Sequence, residues 1–165
     1  IAVASISISL GLEWDYFQEK ILTFKPPKGR CQVSKYGAIT VIDDTYNSNL
    51  ESCCAAIDYL SAFSGIGRNI AVIGDMLELG SASKEQHKKL GKKCNSSRLD
   101  AIFTLGVETI STKNVIQGRK TNAHFEDHNH LIKALRSFLK NNDKVLFKGS
   151  RGMQMEKIIS GVFEN

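Results

Sequence analysis

Four short, nearly continuous apolar runs constrain the fold of this chain more strongly than any other feature of its sequence. The runs occupy residues 38–43, 70–74, 101–105 and 144–148. Each contains β-branched residues, and runs of this length are typical of strands that are buried on both faces of a parallel sheet. Two weaker runs, at 31–35 and 123–125, predict an edge strand and a further strand.

Helical patterns alternate with these runs. Apolar residues recur at helical spacing within residues 50–57, 87–94, 131–139 and 155–162. The order strand, helix, strand, helix predicts an α/β fold, namely a Rossmann-like, doubly wound, mainly parallel sheet flanked by helices. Ser48 with Glu51, and Ser83 with Gln86, have the spacing of capping boxes and predict where the first two of these helices begin.

The N-terminal part of the chain differs in character from the rest. Residues 1–12 and 13–22 predict two short helices, and the two prolines and the glycine within 25–29 are typical of a linker. We therefore divide the chain into a segment of residues 1–28 and a domain of residues 29–165.

The first residues argue against a membrane protein. The apolar run at 1–12 is too short to span a bilayer, and no basic residues precede it as they do in a signal peptide. Because the chain opens on Ile1 and not on Met, we expect these residues to be the end of a preceding part of a longer protein.

Composition and charge disfavour several classes of protein. The chain has 165 residues, 42% of them hydrophobic, which suffices for a core without disulfide bonds. Its four cysteines form no Cys-x-x-Cys pair, so we interpret them as reduced thiols of a cytoplasmic protein. The net charge of +5 fits either a solvated basic surface or a preference for anionic ligands. Because no Lys/Arg run of five residues occurs, nucleic-acid binding is not favoured.

Polar side chains follow three of the four main predicted strands. Residues 43–49 read Asp-Asp-Thr-Tyr-Asn-Ser-Asn, residues 74–80 read Gly-Asp-Met-Leu-Glu-Leu-Gly, and residues 148–152 read Lys-Gly-Ser-Arg-Gly. In an open α/β sheet, ligands bind outside the carboxyl ends of the strands. We therefore expect these carboxylates, amides and basic groups to converge at one edge of the sheet.

Each segment also has a purely structural interpretation. Asp and Asn favour turns and helix N-caps, Asp75 and Glu78 fit the first turn of a helix, and Lys148 fits the surface. The other interpretation is a ligand site. A carboxylate accepts hydrogen bonds from ribose hydroxyls, an asparagine pairs with a base, and Gly-Ser-Arg before a helix suits phosphate or carboxylate. Three such segments at one edge favour the ligand site.

Several common active-site patterns are absent from the sequence. No Gly-x-x-x-x-Gly-Lys-[Ser/Thr] segment occurs, so these residues contain no P-loop. Gly65 and Gly67 precede a predicted strand, whereas the glycines of a dinucleotide fingerprint follow one. The histidines show no metal-ligand spacing, and His87 fits simple packing. We assign no metal site and no certain catalytic residue.

The three strand-end segments, in this order and spacing, resemble motifs of the Mur ligase family. The similar segments are Asp-Asp-x-Tyr-Asn at 43–47, Gly-Asp-Met-x-Glu-Leu-Gly at 74–80, Lys-Gly-Ser-Arg at 148–151, and Gly29 with Arg30 at the family's domain junction. Leu50 stands where the family commonly has Pro, and Ser48 where it commonly has Ala. The resemblance covers nearly the whole chain. It implies that residues 1–28 end a central ATPase domain and that 29–165 form the C-terminal domain.

The resemblance implies two groups of ligand-binding residues. Arg30 would approach the phosphates of ATP, and Asp44 would hold the ribose hydroxyls. In the second group, acidic residues would face an incoming D-alanyl-D-alanine (D-Ala-D-Ala), and basic residues would hold its carboxylate or a phosphate. The implied ATP-binding residues are Arg30, Asp44, Asn47 and Asn49, and the implied dipeptide-binding residues are Asp75, Glu78, Lys148, Ser150 and Arg151.

By the same resemblance, the chain would be part of an ATP-dependent, amide-bond-forming ligase of peptidoglycan synthesis. ATP would phosphorylate the carboxylate of UDP-N-acetylmuramoyl-tripeptide (UDP-MurNAc-tripeptide), and the amine of D-Ala-D-Ala would attack the acyl phosphate. A central domain would bind Mg²⁺ and most of ATP, so this chain would be inactive alone. We expect a cytoplasmic monomer that binds small molecules and neither nucleic acid nor membrane. Two alternatives stay open: a stand-alone nucleotide-binding regulatory α/β module, and a basic nucleic-acid-binding protein.

Overall fold

A six-stranded sheet in the order β1-β2-β6-β3-β4-β5 organises the chain. The computed structural model describes residues 2–118 and 120–164. The strands are β1 Gln32–Tyr36, β2 Ile39–Asp44, β3 Asn69–Gly74, β4 Ala101–Leu105, β5 Thr121–Phe125 and β6 Lys144–Lys148. β1 pairs antiparallel with β2, and the other four pairings are parallel. The predicted strands are confirmed, and their ends differ from the prediction by at most two residues.

The helices are α1 Ala2–Ser9, α2 Trp14–Thr23, α3 Leu50–Ala62, α4 Ser83–Ser96, α5 Ile110–Lys113, α6 His128–Phe138 and α7 Glu156–Phe163. α3 and α4 cover one face of the sheet, and α6 and α7 cover the other. Because alternate side chains of a strand point to opposite faces, β6 contributes to two cores. Phe147 lies in a cluster with Leu131 of α6 and Ile158 of α7, whereas Leu146 lies in a second cluster with Ile57 of α3. The doubly wound α/β architecture is therefore confirmed.

The two helices predicted within residues 1–22 are confirmed as α1 and α2. Many of their apolar side chains are exposed, among them Val3, Trp14 and Leu22. Among the residues that the structure describes, no helix is long and apolar enough to cross a bilayer.

The starts of α3 and α4 differ from the prediction. The capping box of α3 uses Asn49 and Ser52, because the Asn49 side chain accepts from the Ser52 N–H while the Ser52 hydroxyl accepts from the Asn49 N–H. Ser48, the predicted cap, is buried with its hydroxyl 2.9 Å from Cys53 Sγ. α4 has Ala82 at its N-cap without a side-chain cap, and Ser83 donates its hydroxyl proton to Glu108 instead.

The strand order places two crevices at the carboxyl edge of the sheet. β6 lies between β2 and β3. The chain leaves β2 and β3 toward α3 and α4 on one face, and it leaves β6 toward α7 on the opposite face. The loops therefore diverge on both sides of the end of β6, which is where ligands bind in open α/β sheets.

Candidate functional site

A polar cleft opens at the carboxyl ends of β2 and β6. Its volume is about 260 Å³. It is lined by Arg30, Asp44, Tyr46, Asn47, Ser48, Asn49, Ser52 and Lys148. The fold thus brings together all four residues predicted to bind ATP, although they come from the segment before β1, from the end of β2 and from the loop before α3.

Asp44 and Lys148 form the buried electrostatic centre of this cleft. Lys148 Nζ donates to Asp44 Oδ2 at 2.6 Å and to the carbonyl of Asn47 at 2.9 Å, and only 3% of the Lys148 side chain is exposed. The other Asp44 oxygen, Oδ1, accepts from the Cys31 N–H at 3.0 Å. The Asp44 carboxylate is fixed in place yet keeps 20% exposure, so one oriented acceptor faces the cleft. Lys148, which was predicted to bind the dipeptide, lines this cleft together with the four residues predicted to bind ATP.

Tyr46 forms an aromatic wall that the predicted site lacked. The Arg30 guanidinium lies 4.0 Å from the centre of the Tyr46 ring, which is a cation–π distance. The backbone of Tyr46 is held by its N–H, which donates to the carbonyl of Gly29 at 2.9 Å. Gly29 has φ +73°, a conformation that favours glycine. The tyrosine within the Asp-Asp-x-Tyr-Asn motif was the available signal for this wall.

Asp75 has a different environment from the predicted one. It is buried, and its carboxylate accepts from the N–H groups of Glu108, at 3.2 Å, and Thr109, at 2.8 Å. Gly106 lies so close that an added Cβ would overlap this carboxylate. Both oxygens of Asp75 therefore anchor the loop after β4, and direct contact with an incoming amine does not fit this burial.

The loop after β3 is held by two further side chains. His87, fully buried on α4, accepts the Met76 N–H at Nε2 over 3.1 Å. Its Nδ1 lies 2.9 Å from the carbonyl of Ser83, so the contacts assign a neutral imidazole with its proton on Nδ1. Ser150, also buried, accepts the Leu77 N–H at its hydroxyl over 2.9 Å. His87 thus does more than the predicted packing, and Ser150 positions a loop.

These anchors leave the tip of the loop in solvent. Leu77 and Glu78 are exposed, and Glu78 has φ +64°. A non-glycine residue in this left-handed region is uncommon and persists where its surroundings impose it. Of the two acids predicted to face the dipeptide, Glu78 is the accessible one and Asp75 is the internal one.

Arg151 lines a second cavity, also of about 260 Å³, which shares Tyr46 with the first. The lining residues are Lys28, Gly29, Thr45, Tyr46, Arg151 and Glu156. The Arg151 side chain is 67% exposed, and its Nη1 lies 3.3 Å from Glu156 Oε1. The predicted dipeptide group is therefore divided in space. Lys148 lines the polar cleft beside Asp44, Ser150 and Asp75 are buried, and Glu78 and Arg151 are accessible.

The cysteines show no preparation for catalysis or metal binding. All four are free thiols. Burial raises the pKa of Cys53 to about 11 and that of Cys94 to about 12, so both are protonated at neutral pH. Within residues 2–118 and 120–164, no group of three or more His, Cys, Asp or Glu side chains is placed to hold a metal ion.

Fold and cleft together define an α/β domain with a polar cleft at its strand ends, and comparison with known proteins identifies the family. The family described as "Mur ligase, glutamate ligase domain" matches residues 29–151, so the chain belongs to the Mur ligase family. The resemblance inferred from the motifs is thereby confirmed.

Particular members of the family match nearly the whole chain. The UDP-N-acetylmuramoyl-tripeptide–D-alanyl-D-alanine ligase of Synechocystis is 33% identical over 97% of this chain and 35% of its own length. The Escherichia coli ligase of the same name is 29% identical over 100% of this chain and 36% of its own. The MurF ligase of Thermotoga maritima, solved in complex with ADP, superposes with a TM-score of 0.82, 30% identity, and coverage of 98% of this chain and 36% of that one. The chain thus spans about a third of the length of these relatives.

Proposed function

We propose that this chain is the C-terminal part of an ATP-dependent ligase that joins D-Ala-D-Ala to UDP-MurNAc-tripeptide in peptidoglycan synthesis. The observation that carries the proposal is the Asp44–Lys148 centre, which lies beside Arg30 and Tyr46 in a crevice of the sheet. Relatives of that name match at 33% and 29% identity, which supports the choice within the family.

The proposed reaction has two steps. The γ-phosphoryl group of ATP passes to the carboxylate of the tripeptide, which gives an acyl phosphate and ADP. The amine of D-Ala-D-Ala then attacks the acyl carbon, and the tetrahedral intermediate expels phosphate as the amide forms. In such chemistry the protein contributes mainly positioning and charge neutralisation.

In this proposal the cleft binds the nucleotide. The exposed part of the Asp44 carboxylate accepts hydrogen bonds from the ribose hydroxyls, and Lys148 fixes its orientation. Arg30, held against Tyr46, neutralises phosphate charge, and Asn47 and Asn49 border the nucleotide. The described residues offer no group of three metal ligands, so Mg²⁺ that accompanies ATP would be held mainly by another domain.

In this proposal, two accessible residues at the same edge of the sheet contact the dipeptide. Glu78 and Arg151 are the accessible candidates for contact with the dipeptide, while Asp75 and Ser150 position the loops that carry them. Since both sets of residues lie at one edge, the domain would close as a lid over substrates bound elsewhere. We propose a cytoplasmic monomer, where ATP is available, with small molecules as its partners.

Replacement of Asp44 in the full-length ligase tests the nucleotide site. Asp44→Ala should raise the KM for ATP about tenfold or more, because a hydrogen bond to a charged acceptor is worth about 1.5–3 kcal/mol. The KM for D-Ala-D-Ala should change less than about twofold by the same reasoning. Asp58→Ala, which removes an exposed acid on α3, is the matched control. Unchanged ATP kinetics in a folded Asp44→Ala enzyme would show that the ribose assignment is wrong.

Two further measurements test the activity itself. The full-length protein should consume ATP and release phosphate only when both UDP-MurNAc-tripeptide and D-Ala-D-Ala are present. The 165-residue chain by itself should not ligate, because it contains no P-loop. Absence of ligation by the full-length protein, or clear ligation by this chain alone, would overturn the corresponding part of the proposal.

A further inference from the structure

A fully buried histidine holds the loop between β3 and α4. The imidazole of His87, on α4, accepts the Met76 N–H at Nε2 over 3.1 Å, and its Nδ1 lies 2.9 Å from the carbonyl of Ser83. Since a carbonyl oxygen only accepts, Nδ1 carries the proton and Nε2 is left as the acceptor. The ring therefore connects the loop to the first turn of the helix that follows it.

Hydrogen bonds also connect this imidazole to the loop after β4. The Ser83 hydroxyl, which lies 3.3 Å from His87 Nδ1, donates to Glu108 Oε2 at 2.7 Å. The Glu108 N–H donates in turn to Asp75, the residue before Met76, at 3.2 Å. These contacts close a ring that joins the start of α4 to the loops after β3 and β4, so the imidazole is held on both of its nitrogen atoms.

The loop that this ring holds carries an exposed acid. Glu78 is exposed and has φ +64°, a conformation that a non-glycine residue keeps only where its surroundings impose it. The two N–H groups before it are both held by side chains, that of Met76 by His87 and that of Leu77 by the Ser150 hydroxyl. These two anchors fix the direction in which the Glu78 side chain leaves the loop.

Loss of the imidazole acceptor would leave a buried donor unpaired. Met76 is only 1% exposed, so water does not reach its N–H as a replacement for His87 Nε2. An unpaired buried N–H costs free energy, and the loop recovers this cost by moving the N–H toward solvent. Such a movement displaces Glu78, which lies two residues further along the chain.

We propose that His87 is a positioning residue of the ligase, which holds the loop between β3 and α4 through Met76 and thereby sets the position of Glu78 toward the dipeptide. This inference rests on the proposed function, in which Glu78 is an accessible contact of that substrate. His87 acts through the loop and does not contact substrate, because it is fully buried. Its effect should concern one substrate only, since the cleft beside Asp44 is lined by neither His87 nor Met76.

Steady-state kinetics of two variants of the full-length ligase test this role. His87→Leu fills the space without an acceptor, whereas His87→Gln keeps an oxygen that can accept the Met76 N–H. His87→Leu should lower kcat/KM for D-Ala-D-Ala about tenfold or more and leave the KM for ATP within about twofold, because a small displacement of a substrate contact is costly. His87→Gln should restore kcat/KM to within about threefold of the wild-type value.

An exposed histidine provides the matched control. His130, on α6, has a side chain that is 78% exposed, and His130→Leu should leave both constants within about twofold of the wild-type values. If His87→Leu does not fold, His87→Asn takes its place with the same expectation, because the asparagine side chain is too short to reach the Met76 N–H.

The protonation of the His87 ring gives a test that needs no change in activity. In the full-length protein, isotope-labelled at the histidine nitrogens, nuclear magnetic resonance should show a neutral ring with its proton on Nδ1, assigned by the signals that His87→Gln lacks. A proton on Nε2 would overturn the proposal, because that nitrogen could not accept from Met76. Hydrogen exchange of the Met76 N–H should quicken about tenfold or more in His87→Leu and stay within about threefold in His87→Gln.

The outcomes distinguish this inference from the proposed function. If the wild-type enzyme ligates but a folded His87→Leu enzyme keeps its kcat/KM for D-Ala-D-Ala, the positioning role is wrong and the activity stands. Equal losses in His87→Leu and His87→Gln, or a matching rise in the KM for ATP, would likewise overturn the role, since the acceptor would then not be what matters. Failure of the wild-type enzyme to ligate would overturn the proposed function, whereas the ring protonation and the exchange rates would still report whether His87 holds the loop.

Discussion

Asp75 and Gly106 show how a buried contact shapes the loops at the edge of the sheet. The Asp75 carboxylate holds the N–H groups of Glu108 and Thr109, and this contact is possible because Gly106 has no side chain. Gly106 also has φ +115°, a conformation that residues with a Cβ avoid. The motif acid is therefore internal, and the loops around it take their shape from it.

Substitution of Gly106 tests this arrangement. Gly106→Ala should lower the free energy of unfolding by about 3 kcal/mol or more, because backbone strain of about 1–3 kcal/mol adds to the overlap with Asp75. Gly65→Ala is the control, since Gly65 has φ +97° but open space around its Cα. Chemical denaturation should give a clearly smaller loss for Gly65→Ala. If both variants lose the same free energy of unfolding, the overlap of the added Cβ with Asp75 contributes nothing to the destabilisation.

At the scale of elements, the start of α3 couples helix stability to the geometry of the cleft. Asn49 and Ser52 cap the helix reciprocally, and both also line the polar cleft beside Asp44. The sequence predicted a capping box at Ser48 and Glu51, one residue too early. The spacing of residues alone could not distinguish a cap at Ser48 from a cap at Asn49. Burial distinguishes them, because the Ser48 hydroxyl packs against Cys53 and is not available to the helix end.

The two registers differ in a measurable way. Asn49→Ala should destabilise the chain by about 1 kcal/mol, as loss of an N-cap usually does. Glu51→Ala, which removes the acid of the predicted box, should change the free energy of unfolding by less than about 0.5 kcal/mol. Thermal or urea unfolding of both variants shows which substitution lowers the free energy of unfolding more. A larger effect of Glu51→Ala would favour the register that the sequence suggested.

At the scale of the whole molecule, an ion pair joins two connections at the edge of the sheet opposite the cleft. Arg68, just before β3, donates from Nε and Nη2 to the two oxygens of Asp143, just before β6, at 3.0 and 2.6 Å. Nη2 also donates to the carbonyl of Phe138 at 2.8 Å. The ion pair holds the segment between α6 and β6 against the segment between α3 and β3. It therefore fixes the position at which β6 enters the sheet between β2 and β3.

This ion pair predicts a pH dependence of stability. Burial acts to raise the pKa of Asp143, but the hydrogen bonds from Arg68 and from the Lys140 N–H outweigh it, so the pKa lies below its usual 3.8. A lowered pKa in the folded state stabilises the fold above the ordinary value, and this stabilisation is lost as the pH falls through the folded-state pKa. Asp143→Asn should therefore cost about 2–3 kcal/mol at pH 7 and progressively less below about pH 4.

Urea unfolding at several pH values measures this difference. Asp58→Asn is the control, because Asp58 pairs with Lys93 at the surface and its side chain is 63% exposed. Its effect should stay below about 1 kcal/mol, as is typical of surface pairs. A cost of Asp143→Asn that does not depend on pH would show that the charge of Asp143 is not what stabilises the connection.

The sequence by itself determined the elements and the edge at which polar groups gather. Apolar, β-branched runs form strands wherever they can be buried, and the alternation with helical patterns leaves few topologies. The residues after each strand therefore had to meet at the carboxyl edge, and Asp44, Asn47 and Asn49 do line one cleft there. Arg30, which precedes β1 and was implied by the family resemblance alone, lines the same cleft.

Only the tertiary structure decided what each of those polar groups faces. The parallel register of β2 and β6 sets Asp44 opposite Lys148, 104 residues away, so a lysine predicted to bind the dipeptide pairs with an acid predicted to bind ATP. Packing around Gly106 buried Asp75, and the turn into α7 enclosed Glu156 beside Arg151. Such contacts depend on distances between residues that are far apart in the chain, which local spacing and composition do not encode.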